Sequence, residues 1–474
     1  MDRRSFLQTS VALSAAIAAP AQSYARIWGA NAAIRVGVVG LRSRGRDHIQ
    51  GFGDRVAAVC DCDQAILDAT HSDRAYRRYR DYRELLDDRE IDVVSIATPN
   101  HTHALIAISA ILAGKHVYVE KPVSHNVWEG RQIVRAARKH QRLVQCGTQS
   151  RSSPSLQQAF EFAQSGQLGK VQYAIGTCYK PRKSIGKLDA PLQVPASVDY
   201  DLWCGPAAKV DLYRPQLHYD WHWDFNTGNG DMGNQGIHQM DIARWFLGQS
   251  RLSQSIWSVG GRLGYADAGN TPNSQTVLHD FGDTFLIFET RGLPRSREFH
   301  DPKAWDRNMD NYRGSTVGVI VQYEQGYLVI PNYTSAKAFD TEGHEVGSWK
   351  GEGDHYGNLL AAIEAGDASL LSGDIEQGHL SSALCHTGAI SHLLGSPARP
   401  SDLSALPLDR PQFQDSVERL MAHLVANGVD LKMTPLTLGR PLKMDPATEV
   451  FVGDAEADTR LTRNYRAPFQ IPNI

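Results

Sequence analysis

The chain has 474 residues, of which 21% are charged and 42% hydrophobic, with a net charge of −3. That length can bury a large core and predicts two domains. The near-neutral balance gives no electrostatic case for nucleic acid or an acidic membrane surface, and no apolar run approaches the roughly 20 residues that span a bilayer.

The first residues differ from the rest. Arg3-Arg4 precede Phe6-Leu7, a short apolar stretch runs from Val11 to Ala19, and Ala19-Pro20-Ala21 is a small-x-small cleavage pattern. This predicts a twin-arginine export signal with linker over residues 1–33, and a periplasmic protein. Six cysteines, none in a Cys-x-x-Cys pair, do not make a disulfide scaffold at this length. That route exports folded protein, so a bound cofactor can travel inside it.

From Ile34 to about Gln149 short apolar runs alternate with helix-like segments. The runs are Ile34–Val39, Val56–Cys60, Val93–Ala97, His116–Val119 and Leu143–Cys146, and the clearest helices are His103–Ala113 and Trp128–His140. The alternation predicts parallel βαβ units with both sheet faces covered, a doubly wound domain over residues 34–150. After the first run, Gly40-Leu41-Arg42-Ser43-Arg44-Gly45 nearly spells G-x-G-x-x-G, with Arg42 replacing the middle glycine. The helix behind such a turn still offers free N–H groups to an anion, and Arg42 or Arg44 could add a cation. Asp61 follows the second run, 21 positions after Gly40, where a carboxylate holds ribose hydroxyls and repels a 2′-phosphate. Asp63 competes for that role. Thr98-Pro99-Asn100 and His103 lie between the buried strand and the next helix, at the edge where nucleotides bind.

Beyond residue 150 the pattern changes. A helix over Ser155–Gln164 and a strand over Val171–Tyr179 precede an irregular stretch from Arg182 to His218. A helix is predicted over Asn234–Leu247. Strand-like runs follow at Ser255–Arg262, Thr284–Thr290, Val317–Tyr323 and Tyr327–Pro331, compatible with an antiparallel sheet. Helical patterns return at His355–Glu364, His379–Leu394 and Gln414–Ala426, and the tail from Asp430 reads as irregular, wrapping another surface.

Glu120-Lys121-Pro122 resembles the Glu-Lys-Pro signature of the Gfo/Idh/MocA oxidoreductases, and Ala97–His103, Gly147-Thr148-Gln149 and Tyr200–Pro206 look like further landmarks of that family. The resemblance implies an N-terminal Rossmann domain and, over residues 151–474, an α/β domain with an open, mostly antiparallel sheet that builds a homo-oligomer contact. It implies NAD, with NADP less favoured, held by Gly40, Arg42, Ser43, Arg44, Gly45, Asp61, Thr98, Pro99, Asn100, His103, Glu120, Lys121 and Gln149. It also implies that Lys121 reaches the substrate. A lysine partly desolvated beside a charged cofactor can have a lowered pKa and take a hydroxyl proton; read alone, Lys121 is a surface lysine paired with Glu120. If a helix begins near Asn234, then Asn234, His238 and Asp241 share one face. The family's dehydrogenases carry Asp-x-x-x-His at the first two positions. His238 matches, whereas Asn234 is an amide that accepts no proton; Asp231 or Asp241 could supply the missing charge.

His218–Asp224 is dense in aromatic and polar groups that suit a sugar, so Tyr179, His222, Trp223 and Asp241 are expected at the substrate. His218 and His222 are four apart, but no metalloprotease pattern accompanies them and no metal is expected. The expected reaction is hydride transfer between a sugar or polyol hydroxyl and NAD. The alternative is a redox-neutral glycosidase that oxidises, eliminates and returns the hydride with a tightly held cofactor, which suits a compartment where free NAD is scarce. A binding protein on a Rossmann scaffold is the third reading.

Overall fold

A computed structural model describes residues 33–70, 74–301, 303, 305–404 and 409–474; the expected export segment lies outside them. The five apolar runs form β1 (Val36–Val39), β2 (Val56–Cys60), β4 (Val93–Ile96), β5 (His116–Val119) and β6 (Val144–Cys146), and a sixth, edge strand the sequence did not show, β3 (Arg77–Tyr79), joins them. All pair in parallel, in the order β3-β2-β1-β4-β5-β6. Helices α1 (Arg44–Phe52), α2 (Gln64–Ala69), α3 (Tyr82–Asp87), α4 (Asn100–Leu112) and α5 (Val127–Lys139) cover the sheet. Strands buried on both faces read as continuous apolar runs, which is why they are legible in the sequence. The strand order reverses between β1 and β4, and that switch point opens a crevice at the carboxyl edge.

The second unit is built on helix α6 (Pro154–Gln164), β7 (Val171–Tyr179), the short helix α7 (Tyr200–Cys204), helix α8 (Ile237–Phe246) and a larger sheet. Its further strands are β8 (Ser255–Gly261), β9 (Ser274–Asp280), β10 (Phe285–Arg291), β11 (Val317–Tyr323), β12 (Gly326–Asn332), β13 (Ser335–Asp340), β14 (Glu345–Lys350), β15 (Ser396–Ala398) and β16 (Leu436–Leu438). They run β14-β13-β12-β11-β7-β10-β9-β8-β16-β15, antiparallel except for the central pair β7 and β10. β9 escapes the sequence pattern because its polar residues are buried too: Thr276 Oγ1 lies 2.6 Å from Ser416 Oγ.

This sheet is not open throughout. The helix Pro411–Ala426 lays Phe413, Val417, Leu420 and Leu424 over the outer side of β8–β10, and Arg419 donates to the Glu289 carboxylate at 2.8 Å. The face expected to meet another subunit is there covered by the chain itself, because those four apolar side chains satisfy it. The inner face carries α8 and the long helix Ile375–Leu393, which also packs on α5.

The tail forms β16, β17 (Leu442–Asp445) and β18 (Val450–Phe451), then returns to the first domain. Phe469 and Ile471 join its core, and Ile474 N–H donates to Gln132 at 2.9 Å. Leu359, Ala362 and Ile363 of the helix His355–Ala365 complete the other side of that core. A boundary at residue 150 therefore separates the two sheets, while the Rossmann core draws on the far end of the chain. Among the described residues no helix is long and apolar enough to cross a membrane.

Candidate active site

A cleft of about 580 Å³ lies along the carboxyl edge of the first sheet. Its floor is the turn from β1 into α1. Gly40 has φ +86°, and a Cβ there would sit 2.8 Å from the Ala97 carbonyl; one on Gly45 would sit 1.9 Å from the Gly40 oxygen. Only glycine lets this turn close on β4. Arg42 replaces the middle glycine without obstruction because its side chain points into solvent at the rim. Among the described residues the amides of Arg42 and Ser43 donate to no protein acceptor. With the N-terminus of α1 they leave donors for a pyrophosphate.

Asp61 closes one end of the cleft. Its carboxylate accepts from the amides of Leu41 and Asp63, each at 2.9 Å, and burial raises its pKa against those bonds. Each oxygen keeps a lone pair for a ribose hydroxyl. Asp63 is otherwise employed: it caps α2 and faces His218 Nε2 at 3.2 Å.

Above this end runs a strap, residues 197–223. Gln64 N–H donates to the Ser197 carbonyl and Asp199 N–H to the Cys62 carbonyl, both at 2.9 Å. Arg466 from the tail holds Asp201 at 2.6 Å and the Gly205 carbonyl at 3.0 Å. Trp203, His218, Tyr219, Trp221 and His222 of the strap all line the cleft.

At the opposite end stands Glu120, which accepts from Arg44 Nε at 2.7 Å, and from Gln149 Nε2 and His48 Nε2 at 3.2 Å. Burial opposes its ionisation, yet Arg44 and His48 hold its carboxyl well below the usual range. Gly147 permits this, since a Cβ there would lie 2.7 Å from the carboxylate. Arg44, which also lines the cleft, and Gln149 thus both hold Glu120. His103 spans the carbonyls of Thr98 and Pro122 at 2.7 Å each, tying the mouth of the cleft to the cis Lys121-Pro122 bond.

Lys121 lines the cleft and its Nζ donates to the Asn234 carbonyl at 2.6 Å. Burial lowers its pKa; Glu120 opposes the shift, and Arg44 and Lys180 add to it. The expected α-helix from Asn234 begins instead as a π turn, Met232–Gly236, before α8. Such turns concentrate at functional sites, and here it delivers the Asn234 carbonyl to the lysine. It also spoils the shared face predicted for Asn234, His238 and Asp241. Asn234 lines the cleft. His238 is buried with its ring 4.8 Å from that of Tyr333, and burial followed by the Lys121 charge keeps it neutral.

Asp241 lies elsewhere: it accepts two hydrogen bonds from Arg151 Nε, at 3.0 and 2.9 Å, and one from Ser381. Of the other residues expected at the substrate, Tyr179 donates its hydroxyl to Glu289 on the outer side of the sheet. Trp223 is buried beneath the Arg182 guanidinium, 4.9 Å from its ring centre. Only His222 of the four lines the cleft, stacked on Trp221 at 3.6 Å, with its pKa pushed down to about 3 by burial. Asp231 is no free charge either, being gripped by Arg182 through two 2.7 Å bonds. The basic run Tyr179–Lys183 reads in the sequence either as a frame to the pocket or as a solvated charge run, whereas Gln235 and Tyr333 were given no role. Lys180 Nζ donates to Gln235 Oε1 at 3.2 Å, and Gln235 bonds the Tyr333 hydroxyl.

Comparison with known proteins places residues 34–148 in the NAD-binding Rossmann fold of an oxidoreductase family, and residues 170–281 in that family's C-terminal α/β domain. The chain is 31% identical over 156 residues to an inositol 2-dehydrogenase of Salmonella paratyphi B, covering 31% of this chain and 46% of that protein. A glycosyl hydrolase family 109 protein of Shewanella baltica is 36% identical over 124 residues, 23% of this chain and 27% of its own. The chain thus spans about half, or less, of the length of these relatives. The WlbA dehydrogenase of Bordetella pertussis, solved with NADH and UDP-GlcNAcA, superposes with a TM-score of 0.53 at 17% identity over 74% of this chain and 94% of that one, a likeness of fold.

Proposed function

We propose, on the premise that this chain carries both domains of the Gfo/Idh/MocA oxidoreductase family, that it is an NAD-dependent oxidoreductase acting on a hydroxyl of a sugar or polyol. The observation that carries this reading is Lys121 at the end of β5, opening on the same cleft as the glycine turn and Asp61. Bound NAD would supply the hydride acceptor. The amides of Arg42 and Ser43 and the first turn of α1 hold the pyrophosphate, and Asp61 takes the ribose hydroxyls. Lys121 Nζ removes the hydroxyl proton, oriented by the Asn234 carbonyl. Asn234 contributes no proton acceptor of its own, and His238, kept neutral, offers a ring nitrogen rather than a charge. The test is titration of the NAD-loaded protein with sugars and polyols, following reduced nicotinamide by absorbance. Reduction by at least one of them is expected; none across both series overturns the reading.

NAD is preferred over NADP because Asp61 repels a 2′-phosphate. Asp61→Ser should raise the NADP-to-NAD ratio of binding constants about 10- to 100-fold, the worth of charged hydrogen bonds exchanged for repulsion. Isothermal titration with both nucleotides checks it, and an unchanged ratio would remove Asp61 from the ribose site.

The strap favours a second reading, the redox-neutral glycosidase. A segment hydrogen-bonded to the loop after β2 and held by Arg466 of the tail obstructs nucleotide exchange, and a retained cofactor is useful where each cycle returns its hydride. On this reading the Arg3-Arg4 segment exports the folded chain with its nucleotide to the periplasm. Denaturing gently purified protein should then release NAD in near-equimolar amount, detected by mass. Dependence on added NAD, with NADH accumulating alongside product, would exclude the redox-neutral cycle.

A further inference from the structure

The charges at the substrate end do not balance, and from this we infer that the sugar carries an anionic group, a carboxylate or a sulfate, held by Lys180. The inference rests on the oxidoreductase reading of the same cleft. Every acid near this end already has its own arginine. Glu120 is taken by Arg44 and Asp231 by Arg182 through two bonds, and Asp241, away from the cleft, by Arg151. The two ammonium groups, by contrast, face neutral oxygens. Lys121 has the Asn234 carbonyl at 2.6 Å, and Lys180 has the Gln235 amide oxygen at 3.2 Å. Among the described residues neither is ion-paired to a carboxylate.

Half-buried charges of one sign placed together are costly unless something supplies the counter-charge. The cofactor does not: its pyrophosphate belongs at the glycine turn, at the other end of the cleft. Lys121 must shed its proton to act as a base, which leaves Lys180 as the fixed cation. Lys180 directly follows β7, on the side opposite Tyr179, whose hydroxyl meets Glu289 on the outer face, and it is near enough to Lys121 for its charge to act there. A lysine suits a single compact anion as a point charge. Gln235 and the Tyr333 hydroxyl lie beside it for neutral hydroxyls of the same sugar. A site for a neutral polyol would need these hydrogen-bonding groups but not the second ammonium.

The competing role for Lys180 is to tune Lys121 by repulsion alone. That role would move the pH profile equally for every substrate, whereas an anion site discriminates between substrates. The experiment uses the full chain loaded with NAD and three matched probes in both gluco and galacto series: the methyl glycoside, its 6-sulfate and the corresponding methyl uronide. We expect kcat/KM for one acidic member to exceed that of the neutral glycoside about 10- to 100-fold, the range for a charge-assisted hydrogen bond. Which acid wins distinguishes carboxylate from sulfate. Lys180→Met should abolish the preference through KM, and Lys180→Arg should retain most of it; Lys180→Gln substitutes if the Met variant does not fold. Equal kcat/KM for neutral and acidic probes, or a preference that survives Lys180→Met, overturns the anion site and leaves the oxidoreductase reading standing. No reduction by any probe or by the wider sugar and polyol series overturns both.

Discussion

Lys121→Ala is expected to lower kcat on the true substrate by about 10²- to 10⁴-fold, the usual worth of a positioned general base, while nucleotide binding stays within a few fold. The split follows from geometry. On the proposed reading the pyrophosphate and ribose contacts lie at the glycine turn and Asp61, whereas Lys121 stands at the end of β5 with its Nζ on the Asn234 carbonyl. Lys121→Arg should not rescue, because a guanidinium does not lose its proton at any working pH. In the oxidation direction the neutral amine is the active form. Burial lowers the lysine pKa, with Arg44 and Lys180 adding to the shift against Glu120. Activity is therefore lost as pH falls through that lowered value, at a pH below the ordinary lysine range. Removing the Lys180 charge raises the Lys121 pKa, so the same limb moves to higher pH in Lys180→Met. Stopped-flow reduction of bound NAD across pH reads both effects. Unchanged turnover in Lys121→Ala would end the lysine mechanism, and absence of nucleotide binding in the native protein would favour the scaffold reading.

What the sequence disclosed depended on how local the information was. β1, β2, β4, β5 and β6 were legible because doubly covered parallel strands leave unbroken apolar runs, and β7 was legible to the residue; the edge strand β3, Arg-Arg-Tyr and half-buried, left no such run. β13 and β14 were not, since Lys337, Glu345 and Lys350 interrupt any clean alternation. Within the cleft, Gly40, Asp61 and Lys121 could be found because each sits at a strand end with its neighbours adjacent in sequence. Tyr179, Trp223 and Asp241 were expected at the substrate on residue type, but their partners Glu289, Arg182 and Arg151 come from distant segments that no spacing reveals. The π turn is the instructive miss. A period of 3.6 aligned Asn234, His238 and Asp241, and the wider turn at Met232–Gly236 breaks that alignment where the chemistry is placed. The covering of β8–β10 by Pro411–Ala426 was hidden likewise, because an amphipathic helix does not say which surface it will meet.

Asp241 provides the sharpest separation of architecture from chemistry. Asp241→Asn is expected to cost about 3–5 kcal/mol of stability, the penalty for leaving a buried charge without its partner. Arg151 is 8% exposed and Asp241 1% exposed, so solvent offers the stranded guanidinium little relief. A second guanidinium, Arg244, lies 3.8 Å from the same carboxylate and is itself 1% exposed, so one substitution strands two cations. The neutral amide still accepts one hydrogen bond from Arg151 but carries no counter-charge. The pair also bridges structure: Arg151 lies just before α6, Asp241 is in α8, and Ser381, which donates to Asp241 at 2.6 Å, is in the long helix that packs on α5. Loss of the charge should therefore lower the urea midpoint of the whole chain rather than loosen one loop. Variant protein that remains folded should keep its KM, because no atom of Asp241 lines the cleft. A raised KM at unaltered stability would return Asp241 to the substrate and displace this account of the α8 face.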